Sequence, residues 1–243
     1  MLNPWLALPH TGDFVLPEDR EAVHHFNLSS RREHLLHLDL RPEPFLGNLD
    51  TCSVFVLSGN PGLDETRDKN THAGKEFSDA SLRNLRGESE GIFFLEDRFQ
   101  ATPGGEWWRR CFDHLLRDEL SWDQIRRAVA VIEHHPYHAK KWSLPSGLRN
   151  LPSFEYVRSK IVAALHQDTK PALIVILRAH ELWKMRIPEL RDRPNVIETR
   201  HIQSMKLTRN KIENPQDWNR IIAAVKKHAA SIDGTEQNIT IAT

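Results

Sequence analysis

Apolar residues gather along the chain in four short runs separated by longer stretches of mixed character. The runs are residues 52–57 (CSVFVL), 128–132 (AVAVI), 172–177 (ALIVIL) and 196–199 (VIET). Each is rich in β-branched side chains and too short for a helix, so each predicts a buried strand. Between them the apolar spacing becomes helical. Residues 106–120 place Trp108, Phe112, Leu115 and Leu116 on one stripe, after the Gly104-Gly105 pair. Ser153 stands where it would cap a helix reaching about Leu165, with Val157, Ile161 and Ala164 turned inward. Residues 215–230 predict a closing helix on Trp218, Ile221, Ile222 and Val225, with Pro215 suited to the first turn. The first 40 residues read as two short helices. Strands alternating with helices predict one α/β domain: a short, mostly parallel four-stranded sheet with helices on both faces. Ligands of such sheets lie beyond the carboxyl ends of the strands.

Composition narrows the class. Of 243 residues 39% are hydrophobic, and no apolar run approaches the ~18 residues of a membrane span. The opening residues lack a basic segment followed by an apolar core, so the cytoplasm is the expected location. Cys52 and Cys111 are the only cysteines, which excludes a disulfide framework and a four-cysteine cluster. Net charge is zero but unevenly spread. Residues 1–133 carry 15 Lys and Arg against 23 Asp and Glu, whereas residues 134–212 carry 15 against 6. A basic later half on a neutral chain suggests one surface that faces a polyanion; scatter over several faces is the alternative.

The segments after the strands hold the candidate chemistry. The first strand leads into Ser58-Gly59-Asn60-Pro61-Gly62-Leu63-Asp64, a tight turn without the spacing of a phosphate-cradling Walker loop. The second leads into Glu133-His134-His135-Pro136-Tyr137-His138, then Lys140, Lys141 and Trp142. Three histidines invite a metal reading, but Pro136 breaks any helix that would align them, and an aromatic and basic surface loop fits better. The last strand leads to Arg200, His201, Ser204, Met205, Lys206 and Arg209.

Together these segments resemble the uracil-DNA glycosylase superfamily. Gly59-Asn60-Pro61-Gly62 looks like the G-x-N-P-G water-site motif of the mismatch-specific enzymes, with the glycine displaced by one position. Pro44-Phe45-Leu46-Gly47 resembles the P-F-x-G that introduces it, and Gly91-Ile92-Phe93-Phe94 is similar to the segment whose phenylalanine stacks on the flipped base. Residues 176–184 are similar to the family's third strand and helix. His201-Ile202-Gln203-Ser204-Met205 corresponds to the H-P-S-P-L loop, with Met205 in place of the wedge leucine and Ile202-Gln203 in place of proline and serine. The resemblance covers residues 42–212.

It implies a monomeric, monofunctional DNA glycosylase with no metal and no cofactor. The domain would span residues 41–231, after a helical extension over 1–40 and before a tail over 232–243. Such an enzyme would flip an uncommon pyrimidine out of DNA and leave an abasic site, in repair or in defence against phage DNA with modified bases. Asn60 would hold the attacking water, His201 would stabilise the departing base, and Asp64 would be a base or charge partner. Phe94 would stack on the pyrimidine, with Gly59 and Pro61 shaping the pocket. Lys140, Lys141, Arg200, Lys206 and Arg209 would clamp phosphates, as would the backbone amides of Ser58 and Ser204, and Met205 would contact DNA from the position of the wedge leucine. Glu133 stands where the family has a pyrimidine-reading asparagine. An ionised carboxylate only accepts hydrogen bonds, which favours the amino group of a cytosine-type base. Packing or salt-bridge roles for Phe94, Glu133 and Met205 are the alternative reading of the same residues. A catalytically silent nucleic-acid-binding protein on this fold, or a metal hydrolase using His134, His135 and His138, are the rivals.

Overall fold

A computed structural model of the chain describes residues 1–142, 148–167, 171–200 and 205–241. Its centre is a sheet of β1 (Phe45–Leu46), β2 (Val54–Leu57), β3 (Val129–Ile132), β4 (Leu173–Ile176) and β5 (Val196–Glu198). The spatial order is β1-β3-β2-β4-β5. β3, β2, β4 and β5 run parallel, in register at Val54↔Val129, Val54↔Leu173 and Ile174↔Val196. β1 closes one edge antiparallel to β3, with Phe45 opposite Ile132.

The sheet therefore has five strands of mixed direction rather than four. The extra strand escapes a search for apolar runs because it is two residues long and lies directly after Pro44. Gly47 (φ 90°) ends it, in a conformation that strains any residue with a Cβ, and Val129 O and the Ile92 side chain press on the same spot.

Every residue of β2, β3 and β4 is buried, which explains runs that stay apolar instead of alternating. Successive side chains still go to opposite faces. Val54, Val56, Val129, Val131 and Val175 join one core layer. It is completed by α3 (Lys75–Arg86), α4 (Pro103–Phe112), α5 (Trp122–Ala128) and α8 (Pro215–Ile241), through Phe77, Trp108, Phe112, Ile125, Trp218 and Val225. Phe55, Leu57, Ile132, Ile174 and Ile176 face the other layer, against α6 (Phe154–Leu165) and Trp183 of α7 (His180–Arg186). Two further helices are α1 (Arg20–Ser29) and α2 (Asp68–Ala73). Among the described residues no helix is long and apolar enough to cross a membrane.

Local differences from the expected pattern have clear causes. Residues 106–120 do not form one helix; α4 ends at Phe112 and a 3-10 segment, Asp113–Asp118, follows. Ser153 makes no side-chain cap on α6. Its backbone N–H donates instead to Asp19 Oδ1 (3.1 Å), a buried carboxyl that also accepts from the Tyr137 hydroxyl (2.8 Å). The extension before residue 41 holds only one full helix, α1, flanked by 3-10 turns at Pro4–Ala7 and Arg32–His34. Val15, Val23, Phe26, Leu36 and Leu38 of this extension pack on Tyr137 and Ala139, beyond the end of β3.

Candidate functional site

The turn after β2 and the loop after β3 are tied to each other by backbone hydrogen bonds. Ser58 N donates to Ile132 O (2.9 Å), His135 N to Gly59 O (2.9 Å) and Ala139 N to Pro61 O (3.3 Å). The Ser58 amide is thus committed to the sheet and is not a phosphate donor, contrary to expectation. Trp183 Nε1 donates to the Ser58 carbonyl (2.8 Å), fixing the turn from the other side. The Trp142 ring lies over Gly59, where a Cβ would sit 3.3 Å from it. Asn60 is half-buried and its Nδ2 donates to Pro61 O (2.8 Å).

These loops open onto a cavity of about 620 Å³ at the carboxyl ends of β2, β3 and β4. Asn60, Pro61, Phe94, Glu133, Lys140, Lys141 and Met205 all line it, together with Trp107, Trp108, Trp142 and Arg178. Phe94 is buried and stacks on Phe93 (ring centroids 4.3 Å, planes 28° apart). Its approach to α4 requires Gly104, because a Cβ there would overlap the ring. Met205 is 5% exposed, with its sulfur accepting from the Ser58 hydroxyl (3.8 Å). It forms part of the cavity wall rather than a protruding wedge.

Glu133 is the electrostatic centre of the cavity. The side chain is 4% exposed and Oε2 has no hydrogen-bond partner among the described residues. Burial pushes the carboxyl up to about 8, against the opposing pull of the Ser58 hydroxyl and the Arg178 guanidinium. At neutral pH Glu133 is therefore protonated, with one O–H donor and one acceptor, the same pair an asparagine amide offers. Burial thus disfavours the ionised, acceptor-only carboxylate expected from the sequence, and among the described residues no lysine forms an ion pair with it.

Asp64 also lines the cavity, but its oxygens are taken up. Oδ1 accepts from the Thr66 hydroxyl (2.6 Å) and Oδ2 from Arg67 Nε (2.9 Å). The Thr66 hydroxyl first, then Arg67, holds this carboxyl well below the usual carboxylate range. A group so stabilised as its anion is a poor proton acceptor, so the expected role as a base is not supported.

The proposed phosphate clamps all carry acidic partners. Lys140 pairs with Glu65 (2.6 Å), Lys141 with Glu33 (2.7 Å), Arg200 with Glu213 (3.6 Å), Lys206 with Asp113 (3.9 Å) and Arg209 with Asp118 (3.1 Å). Such exposed pairs are weak and screened by solvent, so a phosphate can displace the carboxylate at little cost. Only Lys140 and Lys141 of these five lie at the cavity. His201 and Ser204 lie outside the described residues.

No protein-family model and no curated protein matches the chain.

The histidine-rich loop after β3 is buried, not a surface loop, because the N-terminal extension covers it. His134 sits among Phe154, Trp183 and Trp142 with neither ring nitrogen paired among the described residues; burial pushes it down to about 3. His135 Nδ1 accepts from Tyr137 N (3.2 Å), and burial pushes this ring down to about 4. His138 belongs with Glu43 and His72 instead. The three histidines therefore do not converge on a shared centre. Sequence reasoning assigned no role to Glu43, Asp68, His72, Arg178 or Trp142. Of these, Arg178 had a usable sign: it is a charged residue directly beyond the carboxyl end of a buried strand.

Proposed function

We propose that this chain is a DNA glycosylase of the uracil-DNA glycosylase type, which draws an uncommon pyrimidine into the cavity and hydrolyses its glycosidic bond. The observation that carries this reading is the buried Glu133 carboxyl at the carboxyl end of β3, inside a cavity walled by Phe94 and Asn60, where burial favours its protonated form. A neutral carboxyl offers donor and acceptor side by side, which complements either a cytosine-type edge (N4 amino group, N3 acceptor) or a uracil-type edge (N3–H, O4). The choice between these bases passes from Glu133 to the shape of the cavity. Its 620 Å³ falls in the roughly 300–1,000 Å³ of small-molecule sites and leaves room for a substituent on the ring.

The reaction asks little of strong bases. The C1′–N bond breaks with its electron pair going to the base. Water then supplies hydroxide to the cationic sugar carbon and a proton to the departing base. Asn60, with its Nδ2 held by Pro61 O, presents Oδ1 to orient that water. His201, through the resemblance, would donate to the leaving base. The engagement of Asp64 by Thr66 and Arg67 favours a second reading, a catalytically silent nucleic-acid-binding protein.

A panel of labelled oligonucleotides carrying uracil, thymine mismatches and modified cytosines, treated with alkali, separates the two. Strand breaks at one base, lost in His201→Ala and Asn60→Ala with affinity retained, support the enzyme. Binding without abasic sites on every substrate supports the silent protein.

A further inference from the structure

Glu43, His72 and His138 come from three segments: the stretch before β1, helix α2 and the loop after β3. One potential ligand atom from each lies within 4.8 Å of the other two. All three line the cavity, as does Asp68, whose charge acts on the Glu43 carboxyl.

Three features distinguish this cluster from an ordinary hydrogen-bonded one. His72 Nδ1 is buried with no partner among the described residues. The Glu43 side chain, in a residue only 8% exposed, has His138 Nε2 at 3.8 Å, beyond hydrogen-bond distance. His138 meets an oxygen at each ring nitrogen: Gly62 O at 2.7 Å from Nδ1 and Arg41 O at 3.0 Å from Nε2. A neutral imidazole has a single N–H. With that hydrogen on Nδ1 and given to Gly62, the Nε2 lone pair faces the oxygens of both Arg41 and Glu43, an arrangement that calls for positive charge between them.

We propose that Glu43, His72 and His138 bind a divalent transition-metal ion of the zinc type through one carboxylate oxygen, Nδ1 and Nε2 respectively. Two imidazoles and a carboxylate suit zinc, and a site with three protein ligands keeps a position for water or an incoming group. The Gly62 carbonyl plays the orienting part that a backbone acceptor usually plays behind a metal-bound histidine. Ligands about 2.0–2.2 Å from zinc stand roughly 3.3–3.5 Å apart, so the widest pair, within 4.8 Å here, closes by at most about 1.5 Å on binding. The ion would pin three walls of the cavity together. His134 and His135 take no part.

The test is a cobalt titration of the metal-stripped full-length chain at neutral pH, followed by visible absorption. One equivalent should develop the ligand-field bands of a low-coordinate site, and zinc should displace them. Glu43→Gln and His72→Gln should abolish the bands, whereas His24→Gln, at an exposed position, should leave them. Where a variant loses its circular dichroism, the histidine nitrogen NMR of the wild type decides. Zinc should leave His138 with one N–H, on Nδ1. No stoichiometric spectrum with the wild-type chain, or a His138 protonated on both nitrogens with zinc present, overturns the proposal, as do bands that survive His72→Gln. None of these readouts involves base excision, so a failure here leaves the glycosylase reading untouched.

Discussion

Replacing Glu133 by Gln keeps the size of the side chain and its donor–acceptor pair but removes its ability to ionise. In the folded chain burial pushes this carboxyl up to about 8, against 4.5 when unfolded. Below 4.5 both states hold the proton. Between 4.5 and about 8 the folded state holds a proton that the unfolded state has lost, so stability falls as pH rises, and the loss is complete above about 8. Each pH unit is worth about 1.4 kcal/mol, so the window amounts to about 5 kcal/mol, a large share of the 5–15 kcal/mol typical of a domain. Urea unfolding followed by tryptophan fluorescence, from pH 5 to 9 on wild type and Glu133→Gln, measures it directly. Titrating groups that do not interact with Glu133 are common to both proteins and cancel in the difference, whereas Glu43, on which the Glu133 charge acts, contributes to it. The stability of the wild type relative to the variant should fall steadily across the window and then level off. Parallel curves would refute the claim that Glu133 is buried as the neutral acid.

The acid side should behave in the opposite sense. His134 has a folded pKa pushed down by burial to about 3 from 6.5, so the stability linked to it is present above 6.5 and lost as pH falls towards 3; His134→Leu should flatten this acid loss in calorimetry. Gly104→Ala should push the Phe94 ring off its seat and weaken DNA binding at least tenfold in a fluorescence-anisotropy titration, with little change in circular dichroism. Lys140→Gln and Lys141→Gln should each lower the salt dependence of DNA affinity by up to about one phosphate contact; an unchanged slope would remove these residues from the interface. A dication held by Glu43 would favour ionised Glu133, so zinc should shift the pH-dependent loss of base binding to lower pH than EDTA does.

How much was legible beforehand varied with the physics of each element. The cores of β2, β3 and β4 were plain because burial on both faces leaves an uninterrupted apolar run, whereas the edge strand β5 showed only through Val196 and Ile197, its Glu198 being exposed. β1 was not, because two residues carry no period. α3 was hidden by its polarity: Phe77, Ala80 and Leu85 are its only buried apolar residues. α5 had a sign that went unused, the Ser121-x-x-Gln124 capping box that the structure forms. At the site, Asn60, Phe94 and Glu133 converge because each lies near a strand end or on the wall facing it. The charge state of Glu133 depends on burial, which no local pattern encodes. Glu43, His72 and His138 are 95 positions apart from first to last, so only the fold reveals their meeting.

The central claim is that the cavity accepts a pyrimidine base and severs it from its sugar. Chromatography with mass detection of free base, after incubating the full-length chain with the oligonucleotide panel at neutral pH, tests this most directly. The account predicts release of one pyrimidine, unaffected or modestly slowed in Glu133→Gln, which keeps the donor–acceptor pair, and abolished in Glu133→Leu, which does not. No free base from any substrate, or equal release by wild type and Glu133→Leu, would contradict it.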